Sequence, residues 1–242
     1  MFTHYRTQSL ILKKTDQGET DRIFTVFTKD FGKMDLLAKA ERKTASKLKG
    51  ALENFYLSEI EFIQGKAYKT LTDAILIDDF KNLRKDLKKL QIAHKISELF
   101  DNLIKGEEPD PQIWQLLTET FNTLNTHNLK PKIYSLIYYH FLWNFLSVLG
   151  YQPEFYQCSV CQGKITPESI FFSPQEGGLI CARCTISVKS AKQIDENTVK
   201  IIRLMLKKDL PTLKKLKIED ENLKQLSLIS NFYLSETLEQ AG

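Results

Sequence analysis

The chain lacks the short motifs that announce the commonest catalytic chemistries. Its 242 residues contain no GxxxxGK(S/T) phosphate loop, no GxGxxG turn and no GxSxG elbow. P-loop nucleotide hydrolysis, dinucleotide binding and α/β-hydrolase acyl transfer therefore have no foothold. Histidine is scarce: His4, His94, His127 and His140 are scattered, with no HExxH pair and no deaminase-type His/Glu pair. His94 and His140 are expected to be structural side chains. The acid doublets Asp78-Asp79 and Glu107-Glu108 read as element boundaries rather than as a catalytic pair. These absences argue against an enzyme. No apolar run approaches the roughly 20 residues needed to cross a bilayer. The N-terminus carries no export or lipidation pattern, so a cytoplasmic location is expected. Charge of one sign is not in large excess either. The net charge is +4, so the places where cations gather say more than their sum. Composition is that of an ordinary globular protein, and the length suggests two or three modules.

Cysteine is also sparse, but all of it falls in two motifs. Cys158-Ser-Val-Cys161 and Cys181-Ala-Arg-Cys184 lie about 20 residues apart, a spacing typical of one zinc site. Each CxxC forms a tight turn that points two thiolates inward, and the intervening loop folds back to complete a tetrahedron. Gly163 and Gly177-Gly178 suit the positions past a metal turn or at a loop reversal, where positive φ is needed. Phe171, Phe172 and Ile180 are expected to form a small apolar cluster beside the metal. Two disulfides would require an oxidising compartment, for which nothing in the chain speaks. A thioredoxin-like site would use one CxxC in a βαβ setting. A catalytic zinc keeps a position open for water, whereas four thiolates close the coordination sphere, so a zinc-dependent hydrolase is disfavoured and one structural Zn2+ is expected.

The remaining pattern changes character twice. Up to residue 77 it is β-like, with strands expected at Ser9–Lys13, Arg22–Thr28, Lys33–Ala40, Phe55–Ile63 and Tyr68–Ile77, and a hairpin turn at Asp30-Phe-Gly32-Lys33. Five strands in so short a span suggest a small closed barrel, and an OB-fold is the first candidate. An SH3-like barrel or an open sheet fits the same pattern. Between the third and fourth strands, Lys39, Arg42, Lys43, Lys47 and Lys49 share one stretch with a single acid, Glu41. On a barrel such a loop can supply several phosphate contacts. A solvated lysine-rich loop is the bland alternative. Tyr5, Phe27, Phe31, Phe55 and Tyr56 could serve as base-stacking platforms, although most of them are expected in the core.

From Asp79 the period becomes helical. Phe80, Leu83, Leu87 and Leu90 recur as one face, which places Lys81, Arg84, Lys85, Lys88 and Lys89 together on the other as a basic stripe. That stripe either extends a nucleic-acid path or is a solvated face. Further helices are expected at Ile92–Lys105, Pro111–Asn125 and Lys130–Leu149, the last two rich in aromatics that read as core. Beyond the cysteines, helices at Glu196–Lys208 and Glu219–Leu238 are expected to pack back on the helical bundle, with Leu210-Pro211 between them. Lys200, Arg203 and Lys207 align on the first of these.

In this order the features resemble the bacterial recombination-mediator family RecO. The resemblance runs through Gly18-Glu-Thr-Asp21-Arg22-Ile23, Thr28-Lys-Asp-Phe-Gly32-Lys33, the loop from Lys39 to Lys49 with Ser46-Lys47, Leu149-Gly150-Tyr151-Gln-Pro153, and the cysteine pairs with Phe172 and Gly177-Gly178. One departure is Ala40-Glu41, where the family usually has a glycine-containing turn. The resemblance implies an α+β multidomain fold: an N-terminal OB-fold β-barrel, then an all-α helical domain carrying a four-cysteine zinc-binding segment. The expected boundaries are 1–79, 80–150, 151–188 and 189–242. It also implies a non-enzymatic role in DNA repair by the RecF pathway, in the bacterial cytoplasm and associated with the nucleoid. That role comprises binding single- and double-stranded DNA, annealing complementary strands, and acting with RecR to load RecA onto strands coated by the single-strand-binding protein SSB. RecF and the SSB C-terminal tail are further implied partners. Carried over by position, Lys39, Arg42, Lys43, Lys47 and Lys49 become DNA contacts, and Cys158, Cys161, Cys181 and Cys184 become zinc ligands. The competing reading is a zinc-containing scaffold whose barrel and helices bind polypeptide.

Overall fold

The structure, a computed structural model, describes residues 3–65, 68–167, 169–207, 210–213 and 218–241. The chain divides into two compact units, Met1–Leu129 and Lys130–Gly242. The helices expected at 80–150 are thus shared between the two units.

In the first unit five strands close a barrel: β1 (His4–Gln17), β2 (Asp21–Thr28), β3 (Gly32–Ala38), β4 (Leu57–Gln64) and β5 (Lys69–Asp78). Neighbours run β1-β2-β3-β5-β4 and back to β1. Every pairing is antiparallel except β3 with β5, which is parallel over Leu36↔Lys69 and Leu37↔Thr70. This is OB-fold topology, so the expected barrel class is borne out. The five strands lie close to their expected places, β1 being the longest extension. Inside the barrel, alternate residues such as Phe24, Val26, Leu36, Ile60 and Phe62 form the core, as the period of two requires.

One stretch of β1 is buried on both faces. Leu10, Ile11 and Leu12 are all 0–1 % exposed, with a register shift between Ile11 and Lys13. Ile11 points into the barrel, and the carbonyl of Leu12 accepts from Ser97 Oγ on helix α2 at 2.9 Å. Helices α1 (Lys81–Arg84), α2 (Leu87–Leu103) and α3 (Pro111–Leu124) belong to this unit. The outward ring of Phe27 packs on Phe100 at 5.0 Å and on Trp114 at 6.4 Å. Lys33 Nζ donates to the carbonyls of Phe100 and Ile104 at 3.1 and 3.2 Å. The face of strands 2 and 3 that OB-folds commonly offer to oligonucleotides is therefore partly covered by the chain's own helices.

In the second unit α4 (Pro131–Val148) is apolar nearly all round and buries eleven residues, the signature of a central helix. Helices α6 (Glu196–Lys207) and α8 (Asp220–Ala241) pack against it. The expected end of α6 at Lys208 lies outside the described residues. A short α7 (Leu210–Leu213) occupies the segment between them. Trp143 holds the centre: its indole N–H donates to Ser230 Oγ at 3.0 Å, and its ring stacks on Tyr233 at 5.2 Å. Phe155 and Phe172 lie edge-on to it, bringing the cysteine segment onto the same core. That segment is a hairpin of β6 (Ile170–Ser173) and β7 (Gly178–Cys181), followed by a four-residue α5 (Ala182–Thr185) and by β8 (Lys192–Gln193), which pairs with β6.

The β2–β3 turn gives a direct test of the first unit. Gly32 sits at φ +67, and a Cβ there would meet the backbone of Glu107 and Glu108. Gly32→Ala is expected to destabilise the chain by about 3 kcal/mol, combining left-handed backbone strain with a steric clash. Urea denaturation with a two-unit fit measures it.

Candidate functional site

The cationic loop begins where β3 ends, and its course is set by hydrogen bonds to the β1–β2 turn. Asp21 Oδ1 accepts from the backbone N–H of Ala40 at 2.7 Å and from Thr20 Oγ1 at 3.0 Å. These bonds hold its carboxyl below the usual carboxylate range. Ala40 stands at φ +54, the left-handed conformation that glycine would take without steric cost. The turn this requires aims the next side chain inward. Glu41 is fully buried, and its Oε2 accepts from Arg22 Nη1 at 3.0 Å. Arg22 is held on its other side by Asp16, at 2.7 Å from Nε. Two more backbone bonds, Arg42 N–H to Thr20 O and Lys43 N–H to Ala40 O, complete the bend.

With the single acid withdrawn, the loop's outer side is cationic. Lys39, Arg42, Lys43, Lys47 and Lys49 are all exposed. Arg42 is partly tied down, donating to the carbonyl of Gly18 at 3.2 Å and lying 3.6 Å from Asp16. Lys49 Nζ donates to the carbonyl of Arg42 at 3.3 Å. Among the described residues, Lys39, Lys43 and Lys47 form no ion pair within 4 Å, and they are left to solvent. Leu48 packs against the barrel core and Leu52 is part of it, which anchors the far end of the loop.

The other expected features fare differently. The aromatic platforms belong to the interior: Phe27 and Phe55 are buried, Tyr5 and Phe31 pack on the barrel core, and Tyr56 is covered by Arg84 at 4.7 Å. The basic stripe does not exist as one face. Helix α1 stops at Arg84, and Asp86 caps a new helix by accepting from the N–H groups of Lys88 and Lys89. The interruption resets the helical phase. Leu87, expected inward, is 78 % exposed, while Lys89 is 3 % exposed and donates to the carbonyl of Thr126 at 2.8 Å. Burial pulls the Lys89 ammonium down from its ordinary pKa. Arg84 turns in to the carbonyl of Asn54 at 2.7 Å. Lys81, Lys85 and Lys88 remain outside.

In the second unit the four cysteines come together. One ligand atom from each of Cys158, Cys161, Cys181 and Cys184 lies within 4.8 Å of all the others. Cys161 Sγ and Cys181 Sγ are 3.8 Å apart, far beyond a disulfide bond. That distance matches the edge of about 3.8 Å expected for a tetrahedron of thiolates at 2.3 Å from one ion. The donor set fits a metal ion. Burial by itself would raise the Cys158 thiol, but the backbone amides of Cys161, Cys181 and Val160 donate to its sulfur and bring it down to about 6. Crowding by the sulfurs of Cys161 and Cys181 pushes the Cys184 thiol up to about 12. A metal ion removes that conflict by taking the place of the protons.

The glycines divide the local work. The left-handed residue past the first turn is Gln162, at φ +57, rather than Gly163. Gly163 is instead the position where a Cβ would press on Cys161 Sγ, at 3.2 Å. Gly177, at φ +70, makes the hairpin reversal, and Gly178 lets the strand pass the carbonyl of Glu154 and Ser159 Oγ. Phe172 and Ile180 are buried as expected, and Phe171 is half-buried.

An OB barrel with a cationic loop, joined to a helical region that carries four clustered cysteines able to hold a metal ion, defines the class of protein. The chain belongs to the recombination protein O family: the model of its N-terminal part matches residues 1–80 and that of its C-terminal part residues 84–242. It is similar to the DNA repair protein RecO of Dehalococcoides mccartyi strain 195, with 35% identity over 224 residues, covering 93% of this chain and 87% of that protein. It is 29% identical to the DNA repair protein RecO of Thermoanaerobacter sp. strain X514, over 97% of this chain and 92% of the relative. With the DNA repair protein RecO of Desulforamulus reducens the identity is 28%, over 98% and 90%. Among the described residues, no helix is long and apolar enough to cross a membrane.

Two outcomes test this geometry. Glu41→Ala leaves Arg22 with Asp16 alone and is expected to cost about 2 kcal/mol, below the usual cost of breaking a buried pair because Arg22 keeps some solvent access and a second carboxylate. Chemical denaturation measures it. Cys181→Ser is expected to lower the metal content from about one ion per chain to under a tenth, read by atomic emission on gel-filtered protein.

Proposed function

We propose that the chain is a DNA-binding recombination mediator in DNA repair. On this reading it binds single- and double-stranded DNA, anneals complementary strands and, with RecR, helps load RecA onto strands coated by SSB. The observation that carries it is the inward turn of Glu41, which leaves Lys39, Arg42, Lys43, Lys47 and Lys49 as a loop surface with no exposed acid of its own. Cations gathered on one loop neutralise neighbouring phosphates and release their counterions, with no dependence on base sequence. Annealing needs two polyanions to approach, and a cationic surface lowers that repulsion without bond chemistry.

The role is one of binding rather than catalysis, carried out by a cytoplasmic, nucleoid-associated protein. The SSB C-terminal tail, and less directly RecF and RecA, are the further partners this reading assigns. The ion is a structural Zn2+: four thiolates complete its coordination and leave no site for a reacting water. Its contribution is to fold a segment with little core of its own.

A polypeptide-binding scaffold is the second reading, and one observation favours it. Ile75, Leu76 and Ile77 are 39–52 % exposed on β5, beyond the two residues that pair with β3. Binding and annealing assays separate the two.

Replacing the five loop cations together by alanine is expected to weaken binding to all DNA sequences and to lower the slope of log affinity against log salt by about 3. Fluorescence anisotropy across a salt series measures it, and an unchanged slope removes the loop from the interface. In the same preparation, annealing of SSB-coated complementary oligonucleotides should be lost in the variant and should depend on RecR in the wild type. A chain that ignores DNA in dilute buffer leaves only the scaffold.

A further inference from the structure

Tyr156 is an aromatic residue that the packing of the second unit leaves outside. It is 52 % exposed, two residues before the first cysteine, yet its backbone is among the best-tethered in the segment. Its N–H donates to the Glu154 carboxylate at 2.6 Å. Glu154 in turn is bonded to the β6–β7 hairpin through its N–H to Gly177 O and its carbonyl to Leu179 N–H, at 2.8 and 2.9 Å. The neighbouring Phe155 carbonyl accepts from Arg203 Nε at 2.8 Å and from Arg203 Nη2. The side chain is then flanked by two cations from one face of α6, Arg203 Cζ at 4.7 Å and Lys207 Nζ at 4.8 Å from the ring centroid. Both distances lie within cation–π range.

The two cations do different things. Arg203 is committed to the Phe155 carbonyl and works as a strut. Lys207 is exposed and forms no ion pair among the described residues. Beside the ring opens a cleft of about 430 Å³, walled by Gln152, Pro153, Phe155 and Leu206 with Lys207 at its edge. Its one carboxylate, Glu154, faces its own chain through the Tyr156 amide. An exposed ring, an apolar wall and an ammonium with no carboxylate partner among the described residues, all within one nucleotide's reach, form the combination that binds single strands without regard to sequence. The base stacks and the adjacent phosphate meets the cation. A duplex, with its bases already stacked inside, can use only the cation.

We propose that Tyr156 and Lys207 form a single-strand contact in the second unit, in which a base stacks on the Tyr156 ring and its phosphate pairs with Lys207. This rests on the reading of the chain as a DNA-binding protein, and it adds a contact outside the barrel that discriminates single strands from duplex.

The test uses the full-length, metal-loaded chain with a fluorescein-labelled oligothymidylate and a duplex of equal length, at fixed low salt. Tyr156→Ala is expected to weaken single-strand binding about tenfold and to leave duplex binding within twofold. Tyr156→Phe, which keeps the ring, should bind like the wild type. Lys207→Gln should reduce the single-strand salt slope by about 0.7. Metal content and the urea midpoint of each variant show whether the fold has been kept. Wild-type affinity in Tyr156→Ala overturns the proposal. So does equal loss on both DNA forms, a matching loss in Tyr156→Phe, or loss of the metal, which would make the ring a structural prop. An unchanged slope in Lys207→Gln removes the phosphate contact and overturns the pairing. If the wild type binds neither DNA form, the proposed function itself fails, and that result is distinct from a wild type that binds and a Tyr156→Ala that binds equally.

Discussion

The buried pair between Arg22 and Glu41 is the interaction on which the cationic face of the first unit depends. A loop that presents five cations also carries one carboxylate, and an exposed carboxylate there would offset the positive charge of its neighbours. The fold resolves this by burying the acid. Asp21 holds the Ala40 amide, Ala40 adopts the left-handed conformation, and Glu41 is swung onto Arg22, which is itself braced by Asp16. Arg22 keeps two carboxylate partners, so the charge is compensated where water is scarce, the condition under which a buried pair is tolerated. The same turn faces the lysines outward. The burial of Glu41 and the exposure of the loop cations thus draw on one set of bonds.

The covering of the barrel gives that loop its importance. In many OB-folds the outer face of strands 2 and 3 receives the oligonucleotide. Here Phe27 is buried under Phe100 and Trp114, and Lys33 is used to satisfy carbonyls at the end of α2. Those contacts enlarge the core of the first unit, and in doing so they cover part of that barrel face. The loop after β3 is then a cationic surface left open beside the barrel. The second unit follows a parallel logic around Trp143. Its aromatic cluster with Tyr233, Phe155 and Phe172 fixes the cysteine segment to the helices, and the four sulfurs gather where they could hold a metal ion.

Some of this was legible in the residue order, and the failures have identifiable causes. Strand alternation located the barrel because an inside face and an outside face impose a period of two. The paired cysteines located the cluster of four sulfurs because the spacing of thiolate ligands is so narrowly constrained. The run Lys81 to Lys89 misled because a helical period was carried across Asp86, whose side chain caps a new helix and breaks the phase. Burial of Lys89 followed from a carbonyl, that of Thr126, supplied by a turn far along the chain. At the first cysteine turn the positive φ fell on Gln162 while Gly163 answered to the nearness of a sulfur. Both demands attract glycine, and sequence cannot say which of them is met where. The exposed ring of Tyr156 was likewise indistinguishable from the core aromatics around it.

By itself the sequence determined the barrel, the helical remainder, the cluster of four thiols and the cationic character of one loop. These follow from periodicity, ligand spacing and local charge, which act over a few residues. Only the tertiary structure decided which charges face solvent, which acid is hidden, which barrel face is covered and which tyrosine stands outside. Each of those outcomes depends on a partner remote in the chain: Arg22 for Glu41, Thr126 for Lys89, Phe100 for Phe27 and Arg203 for the backbone beside Tyr156. Burial and pairing are properties of three-dimensional neighbourhoods, and no local pattern encodes them.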